Sequence, residues 1–435
     1  MPGSAPGRDR PLVVMIGGAL PPPYGGIARY LQLVVPALAK RGFRVRMLLD
    51  ATGIEPDPLQ LPSDADVAIA VFHYPGLLRF LGYLARRPFL LGTLLGWFFP
   101  AFLARPAFAA RQFALAVCAI RSCELLVGKD RPAIVHAFDW PWAWGVAAVL
   151  LARRQGARSM VSLFGDVLPH KEELMQLDAV SRPFIRPSRL ALERADLTAS
   201  MTDHCRDLVR HVGLSPDRVA RVRVAGDMRP FNPDVDGAAL RARHTNDNGA
   251  LILFVGHVRP RKGPQVLVNA LTTIRERHPE ARAVFVGPDF GFTAELKVLA
   301  ERLGVAETVD FVGTVSDREL PEYYAAADVF VFPTTTTIEC LGLTFVQAMF
   351  AGIPVVATRI AGAPEVIRDG VDGFLVEPGN PNALADRVNE LLAKTREERT
   401  ALGLRGRARA ADLLDEPAVV GDLLGAYDRL LGRAS

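Results

Sequence analysis

The chain has 435 residues, half of them hydrophobic and 23% charged, with a formal charge of +4. That composition excludes a disordered chain and supplies enough apolar material for two core-forming domains. A net charge this small for the size gives no reason to expect a nucleic-acid partner, so the basic residues matter by location.

In chain order, MPGSAPGRDR runs straight into the strand-like PLVVMIG, too short for the apolar core of a secretion signal, and no secretion is expected. Apolar runs at 12–16, 44–49, 67–72, 134–138, 159–164 and 197–201 alternate with helical patterns, the signature of a mostly parallel sheet covered on both faces. A polar break at 229–249, rich in Pro, Asn, Asp and Gly, reads as a linker. A second series follows at 251–255, 283–286, 309–312, 329–332, 354–357 and 374–376. The prediction is α/β, with two Rossmann-like doubly wound domains facing across a cleft and ligands beyond the carboxyl ends of the strands. Cys118, Cys123, Cys205 and Cys340 form no CxxC pair and sit in apolar or helical surroundings, a usage that suits the cytoplasm.

Each half opens with a loop suited to phosphate. PLVVMIG leads into PPPYGGIARY, which puts Gly25 and Gly26 at a helix start where backbone can approach a diphosphate; a proline-stiffened turn is the plainer reading. LILFVG leads into HVRPRKG, with His257, Arg259, Arg261 and Lys262 at a strand end, a cation cluster suited to a polyanionic leaving group. Arg259 and Arg261 also read as solvated loop charges. In ECLGLTFVQAM, the amides of Gly342, Leu343 and Thr344 open a helix and lack intrahelical acceptors, a phosphate seat. Glu339 before this seat and Gln347 two turns into the helix would flank a nucleotide-sugar, or else be a capping Glu and a surface Gln. IVHAFDWPWAWG ends an N-terminal strand with His136 and Asp139, either ligand contacts or a hydrogen-bonded strand end with core tryptophans.

Residues 75–127 form an apolar, basic insertion. FLLGTLLGWFFPAFLA carries no charge, is flanked by Arg86, Arg87 and Arg105, and falls short of the roughly 20 residues that span a bilayer. An interfacial segment on an anionic membrane surface and a pair of helices buried against the sheet are the competing readings.

Taken together, PPPYGGIARY, SMTDHCRDLV, VGHVRPRKG, VDFVGTVSDREL, YYAAADVFVFPT, ECLGLTFVQAM and AGAPEVIRDGVDGFLVEPGN make the chain resemble the retaining nucleotide-sugar glycosyltransferases of family 4, glycosyl transferases group 1, which have the GT-B fold. The resemblance implies a flexible 1–10, an acceptor domain at 11–228, the linker, a donor domain at 250–412 and a final helix, 413–435, packing back on the N-terminal domain. It implies that Gly26 faces the donor diphosphate, Lys262 neutralises the leaving group, Glu339 meets the sugar hydroxyls, and the base of a UDP- or GDP-sugar rests near Val315. Three positions depart from the family pattern. Gln347 stands where a second glutamate meets the ribose, His257 stands where an arginine is usual and would lend pH dependence, and Phe164 stands in place of a histidine, leaving Asp166 and His170 as the nearest polar residues.

The function these features imply is retaining transfer of a sugar from a nucleoside diphosphate to a glycan or lipid-linked acceptor. Lys262, Glu339, Asp166 and His136 are the catalytic candidates, and Asp139 and His170 the acceptor contacts. No cofactor is expected, since no DxD-like pair or His/Cys cluster offers a metal site. The location implied is cytoplasmic, at the inner face of the membrane. A non-catalytic, membrane-associated nucleotide-sugar binder and a GT-B epimerase are the alternatives.

Overall fold

The structure, a computed structural model, describes residues 10–17, 26–49, 61, 63–71, 77–104, 106–138, 141–163, 186–211, 215, 219–245, 249–336 and 339–433. The chain divides into two units, one built from Met1–Asp227 and Glu416–Ser435, the other from Met228–Asp415.

In the first unit, strands β1 (Leu12–Ile16), β2 (Arg44–Leu49), β3 (Val67–Val71), β4 (Ile134–Phe138), β5 (Arg158–Leu163), β6 (Leu197–Ser200) and β7 (Val219–Arg221) form a parallel sheet in the order β3-β2-β1-β4-β5-β6-β7. Val13 on β1 registers with Val45 on β2 and Ile134 on β4, and all five β1 residues are buried. A strand covered on both faces needs this unbroken apolar run rather than alternation. Helices α1 (Gly26–Lys40), α2 (Leu77–Ala85), α3 (Pro88–Ala104), α4 (Pro106–Val127), α5 (Val146–Gln155), α6 (Arg186–Arg194) and α7 (Asp203–His211) accompany the sheet.

The insertion at 75–127 is α2 to α4, and neither competing reading describes it alone. Leu90, Leu94, Trp97 and Phe98 of α3 enter the core with Phe113, Ala116, Ile120 and Cys123 of α4. On the same α3, Phe89 is 90% exposed, Leu103 74%, Phe99 60% and Leu95 45%. Among the described residues, no helix is long and apolar enough to cross a membrane.

The second unit has a parallel sheet of β8 (Leu251–Val255), β9 (Arg282–Val286), β10 (Val309–Gly313), β11 (Val329–Phe332), β12 (Val355–Thr358) and β13 (Phe374–Val376), ordered β10-β9-β8-β11-β12-β13. Its helices are α8 (Ala238–His244), α9 (Pro264–Arg277), α10 (Thr293–Arg302), α11 (Leu320–Ala326), α12 (Leu343–Phe350), α13 (Ala363–Val366), α14 (Pro381–Leu392) and α15 (Arg396–Leu414). Strand order reverses between β8 and β11, the switch point beyond which open parallel sheets ordinarily bind ligands.

Residues 229–249, whose composition reads as a linker, differ from that reading and contain α8. Arg241 of α8 donates to Asp328 at 2.8 Å and to the Gly249 carbonyl at 2.6 Å, while Arg399 holds the other Asp328 oxygen at 3.1 Å. This ion network ties the polar segment to the second unit.

The last helix, α16 (Glu416–Leu431), belongs to the first unit. Arg223 clasps Asp422 through Nε at 2.7 Å and a terminal nitrogen at 2.8 Å, and Phe43 packs 5.9 Å from the Tyr427 ring.

Candidate active site

The second unit assembles its polar centre from the loops that follow β8 and β11. After β8 the chain passes His257 and Arg259, makes a tight turn at Pro260–Lys262, and enters α9 through Gly263 in the left-handed region, φ 73°. A Cβ on Gly263 would sit 1.9 Å from the Pro333 carbonyl oxygen, so glycine is what lets the two loops touch. Hydrogen bonds lock the contact: the Thr335 amide and the Thr334 hydroxyl each donate to the Arg261 carbonyl at 3.0 Å. Thr358 from β12 donates to the Thr334 carbonyl at 2.8 Å.

This stitching brings together two residues 77 positions apart. The Lys262 ammonium donates to the Glu339 carboxylate, with side-chain exposures of 17% and 15%. Burial pushes the Glu339 pKa up, but Lys262 first, then Arg261 and His257, pull it below the ordinary carboxylate value. Glu339 is therefore held as a carboxylate against the Lys262 side chain.

His257 lies beside the pair, its ring 4.7 Å from that of Phe290, which also lies 5.1 Å beneath the Arg259 guanidinium. The His257 Nδ1 is buried and has no hydrogen-bond partner among the described residues. Burial, reinforced by Lys262, Arg259 and Arg261, pulls its pKa down to about 4. His257 is thus neutral at physiological pH, which corrects the expectation that it supplies pH dependence there. Phe290, half-exposed in the loop after β9, was not found by sequence reasoning; an aromatic just past an apolar strand was the available signal.

After β11, Gly342 caps α12 with φ 83°. A Cβ there would lie 2.5 Å from the Phe332 ring, so both conformation and space demand glycine. Leu343 and Thr344 follow as the first helical residues, half-buried, with amides that have no intrahelical acceptor. Val315 is half-buried two residues past β10, on the same carboxyl edge.

Two expectations fail on geometry. Gln347 is only 3% exposed, and its Oε1 accepts from the Tyr324 hydroxyl at 3.0 Å, a hydroxyl that also lies 3.0 Å from the Thr344 carbonyl. Its amide faces the core rather than solvent, where Oε1 shares the fully buried Tyr324 hydroxyl with the Thr344 carbonyl. His136 is 0% exposed, with Nδ1 2.9 Å from the Tyr427 hydroxyl and Nε2 2.6 Å from Ser162 Oγ. Burial pulls its pKa down to about 3, so His136 is a neutral, doubly bonded core residue with no nitrogen left for catalysis. Gly26 opens α1. Gly25, Asp139, Phe164, Asp166 and His170 lie outside the described residues. No group of three or more His, Cys, Asp or Glu is placed to hold a metal among the described residues.

Residues 238–409 match the family Glycosyl transferases group 1, and residues 25–225 match the Glycosyl transferase 4-like domain. A D-inositol 3-phosphate glycosyltransferase of Thermobifida fusca is 30% identical over 418 residues, 93% of this chain and 88% of the relative. The chain is a group 1 glycosyltransferase. A GDP-mannose-dependent alpha-(1-6)-phosphatidylinositol monomannoside mannosyltransferase of Mycolicibacterium smegmatis is 32% identical over 64% of this chain and 73% of the relative. Against several other D-inositol 3-phosphate glycosyltransferases, the chain spans about half of the relative's length. The GT-B fold is shared with Anabaena HepE, solved in complex with UDP and glucose, at TM-score 0.70 and 18% identity over 96% of this chain and 99% of that one. As a group 1 glycosyltransferase the chain carries its cation cluster at the strand ends of the C-terminal, second unit.

Proposed function

We propose that this glycosyltransferase moves a hexose from a UDP- or GDP-sugar to a hydroxyl of a lipid-linked or glycan acceptor, with retention at the anomeric carbon. The relatives named for inositol phosphate and phosphatidylinositol make a phosphorylated inositol the first acceptor to try. The work is cytoplasmic, at the inner face of the membrane.

The observation that carries this reading is the Lys262–Glu339 pair beside the start of α12. A diphosphate seated on the amides of Leu343 and Thr344 competes with Glu339 for Lys262. As Lys262 turns to phosphate, the Glu339 carboxylate is released to accept hydrogen bonds from sugar hydroxyls. Donor binding therefore assembles both halves of the site at once. In the reaction the bond from C1 to the β-phosphate oxygen breaks, C1 bonds to the acceptor oxygen, and the acceptor hydroxyl's proton passes to the departing phosphate oxygen. Negative charge builds on the departing phosphate, where Lys262, Arg261 and the helix dipole stabilise it without reorganising. Neutral His257 offers Nδ1 as a hydrogen-bonding group rather than as a charge. These cations take the role a metal would otherwise play.

A panel of UDP- and GDP-sugars with phosphatidylinositol and inositol phosphate, read by product formation and by the anomeric proton coupling of the product, tests the proposal. Nucleotide binding with no transfer from any donor would refute it. Loss of activity in EDTA that magnesium or manganese restores would refute the metal-free assignment.

A further inference from the structure

Helix α3 is apolar all round, yet only one side of it is packed. Leu90, Leu94, Trp97 and Phe98 face the core, and Trp97 is backed by the Arg194 guanidinium at 4.9 Å. The other side shows Phe89, Leu95, Phe99 and Leu103, spaced as one helical face with Gly92 and Gly96 between them. Nothing lies within 4 Å of where a Cβ would stand on either glycine. A helix with apolar residues on every side is ordinarily buried, and a row of large exposed apolar side chains marks a contact surface.

Charge identifies the contact. Residues 77–127 hold six arginines against one acid, Glu124. That acid is already engaged by Arg87 at 3.0 Å and Arg154 at 3.0 Å. The exposed Arg79, Arg86 and Arg111 therefore keep a positive charge that the segment's own acids do not offset. A hollow of about 380 Å³ bounded by Leu95, Gly96, Phe99 and Pro100 carries Arg186 of α6 on its rim. Apolar floor and guanidinium lip reproduce the boundary between acyl chains and headgroup phosphates. A second copy of the chain fits less well, since an isologous contact through this face would set arginine against arginine.

We propose that α3 lies flat in the anionic leaflet of a bilayer, with Phe89, Leu95, Phe99 and Leu103 among the acyl chains and Arg79, Arg86, Arg111 and Arg186 on headgroup phosphates. The helix is about 25 Å long by its residue count, suited to lying in the interface rather than crossing it. Helix α3 belongs to the first unit and Lys262 to the second, so Lys262→Met is expected to bind vesicles as the wild type does even if the donor chemistry is misassigned.

The test is sedimentation of the full chain with phosphatidylcholine vesicles made with and without phosphatidylglycerol. Binding is expected only with the anionic lipid, weakened on raising salt to about 0.5 M. Phe89→Ser, Phe99→Ser and Leu103→Ser, all exposed and so compatible with folding, should each weaken it about tenfold. A tryptophan placed at Phe99 should be quenched by brominated acyl chains. Absence of binding at low salt overturns the proposal, as does binding without quenching. A concentration-dependent dimer that Phe99→Ser dissolves, with no vesicle binding, assigns the face to a second copy and overturns it too.

Discussion

Replacing Lys262 by methionine removes the cation that holds the Glu339 carboxylate in place. Removing one partner of a buried ion pair costs about 3–5 kcal/mol, and here the residual exposure and the nearby Arg261 reduce this to about 2 kcal/mol. The cost depends on pH in a defined direction. With Lys262 present, the folded-state pKa of Glu339 lies below its unfolded value, so the pair's stabilisation is present above the unfolded pKa and fades as pH falls. Without Lys262 the largest lowering influence on Glu339 is gone and burial acts on the carboxylate less opposed, so the variant suffers most where the unfolded chain is ionised. The stability gap between wild type and Lys262→Met should therefore be wide at about pH 7 and narrow toward about pH 4. Lys262→Met/Glu339→Gln should recover stability to within about 1 kcal/mol while leaving turnover lowered by about 100-fold or more. Urea denaturation followed by far-UV circular dichroism measures the cycle. Trp97, Trp140, Trp142 and Trp144 all belong to the first unit, so tryptophan emission provides an internal control. Equal stability of the single and double variants at pH 7, or a gap that does not change with pH, would refute the reasoning.

Gly342→Ala forces a left-handed backbone on a residue with a Cβ and drives that Cβ into Phe332, so donor binding should fall at least tenfold with a stability loss of about 2 kcal/mol; isothermal titration with the nucleoside diphosphate reads the first and denaturation the second. Gln347→Glu places a carboxylate against the buried Tyr324 hydroxyl and should destabilise the second unit by about 1–3 kcal/mol at pH 7, easing as the carboxyl protonates, with no gain in donor affinity; tighter donor binding would show that position 347 reaches the ligand. His257 protonates only near pH 4, so donor affinity between pH 6 and 8 should show no histidine inflection, whereas His257→Arg, which adds a permanent charge, should lower the donor KM severalfold; an inflection near pH 6.5 that vanishes in His257→Gln would contradict this.

Strands such as 12–16, 134–138 and 251–255 were legible because a doubly covered parallel strand writes itself as an unbroken apolar run. β7 was not, since Val219–Arg221 is three residues long and ends on an exposed arginine. Gly342 was legible as the opening of a helix, whereas the need for Gly263 was not, since it comes from the Pro333 carbonyl on another loop. Side-chain direction is not local. Gln347 turns inward onto the buried hydroxyl of Tyr324, from a different helix, and His136 is sealed by Tyr427, 291 positions away. Helix α3 misled for the opposite reason, since its two faces are alike in sequence and differ only in what packs against them.

The return of α16 to the first unit has a consequence for how the molecule is made. The second unit is continuous in sequence, while the first is interrupted by it and lacks Asp422 and Tyr427 until the final helix emerges. At about 5–20 residues per second, a ribosome spends on the order of ten seconds or more on the intervening unit. During that interval Arg223 and His136 await their partners, and a chain stopped after Asp415 would hold a finished second unit beside an unfinished first. The order of synthesis thus makes the second unit the first to be completed, and makes the last helix the step that finishes the other.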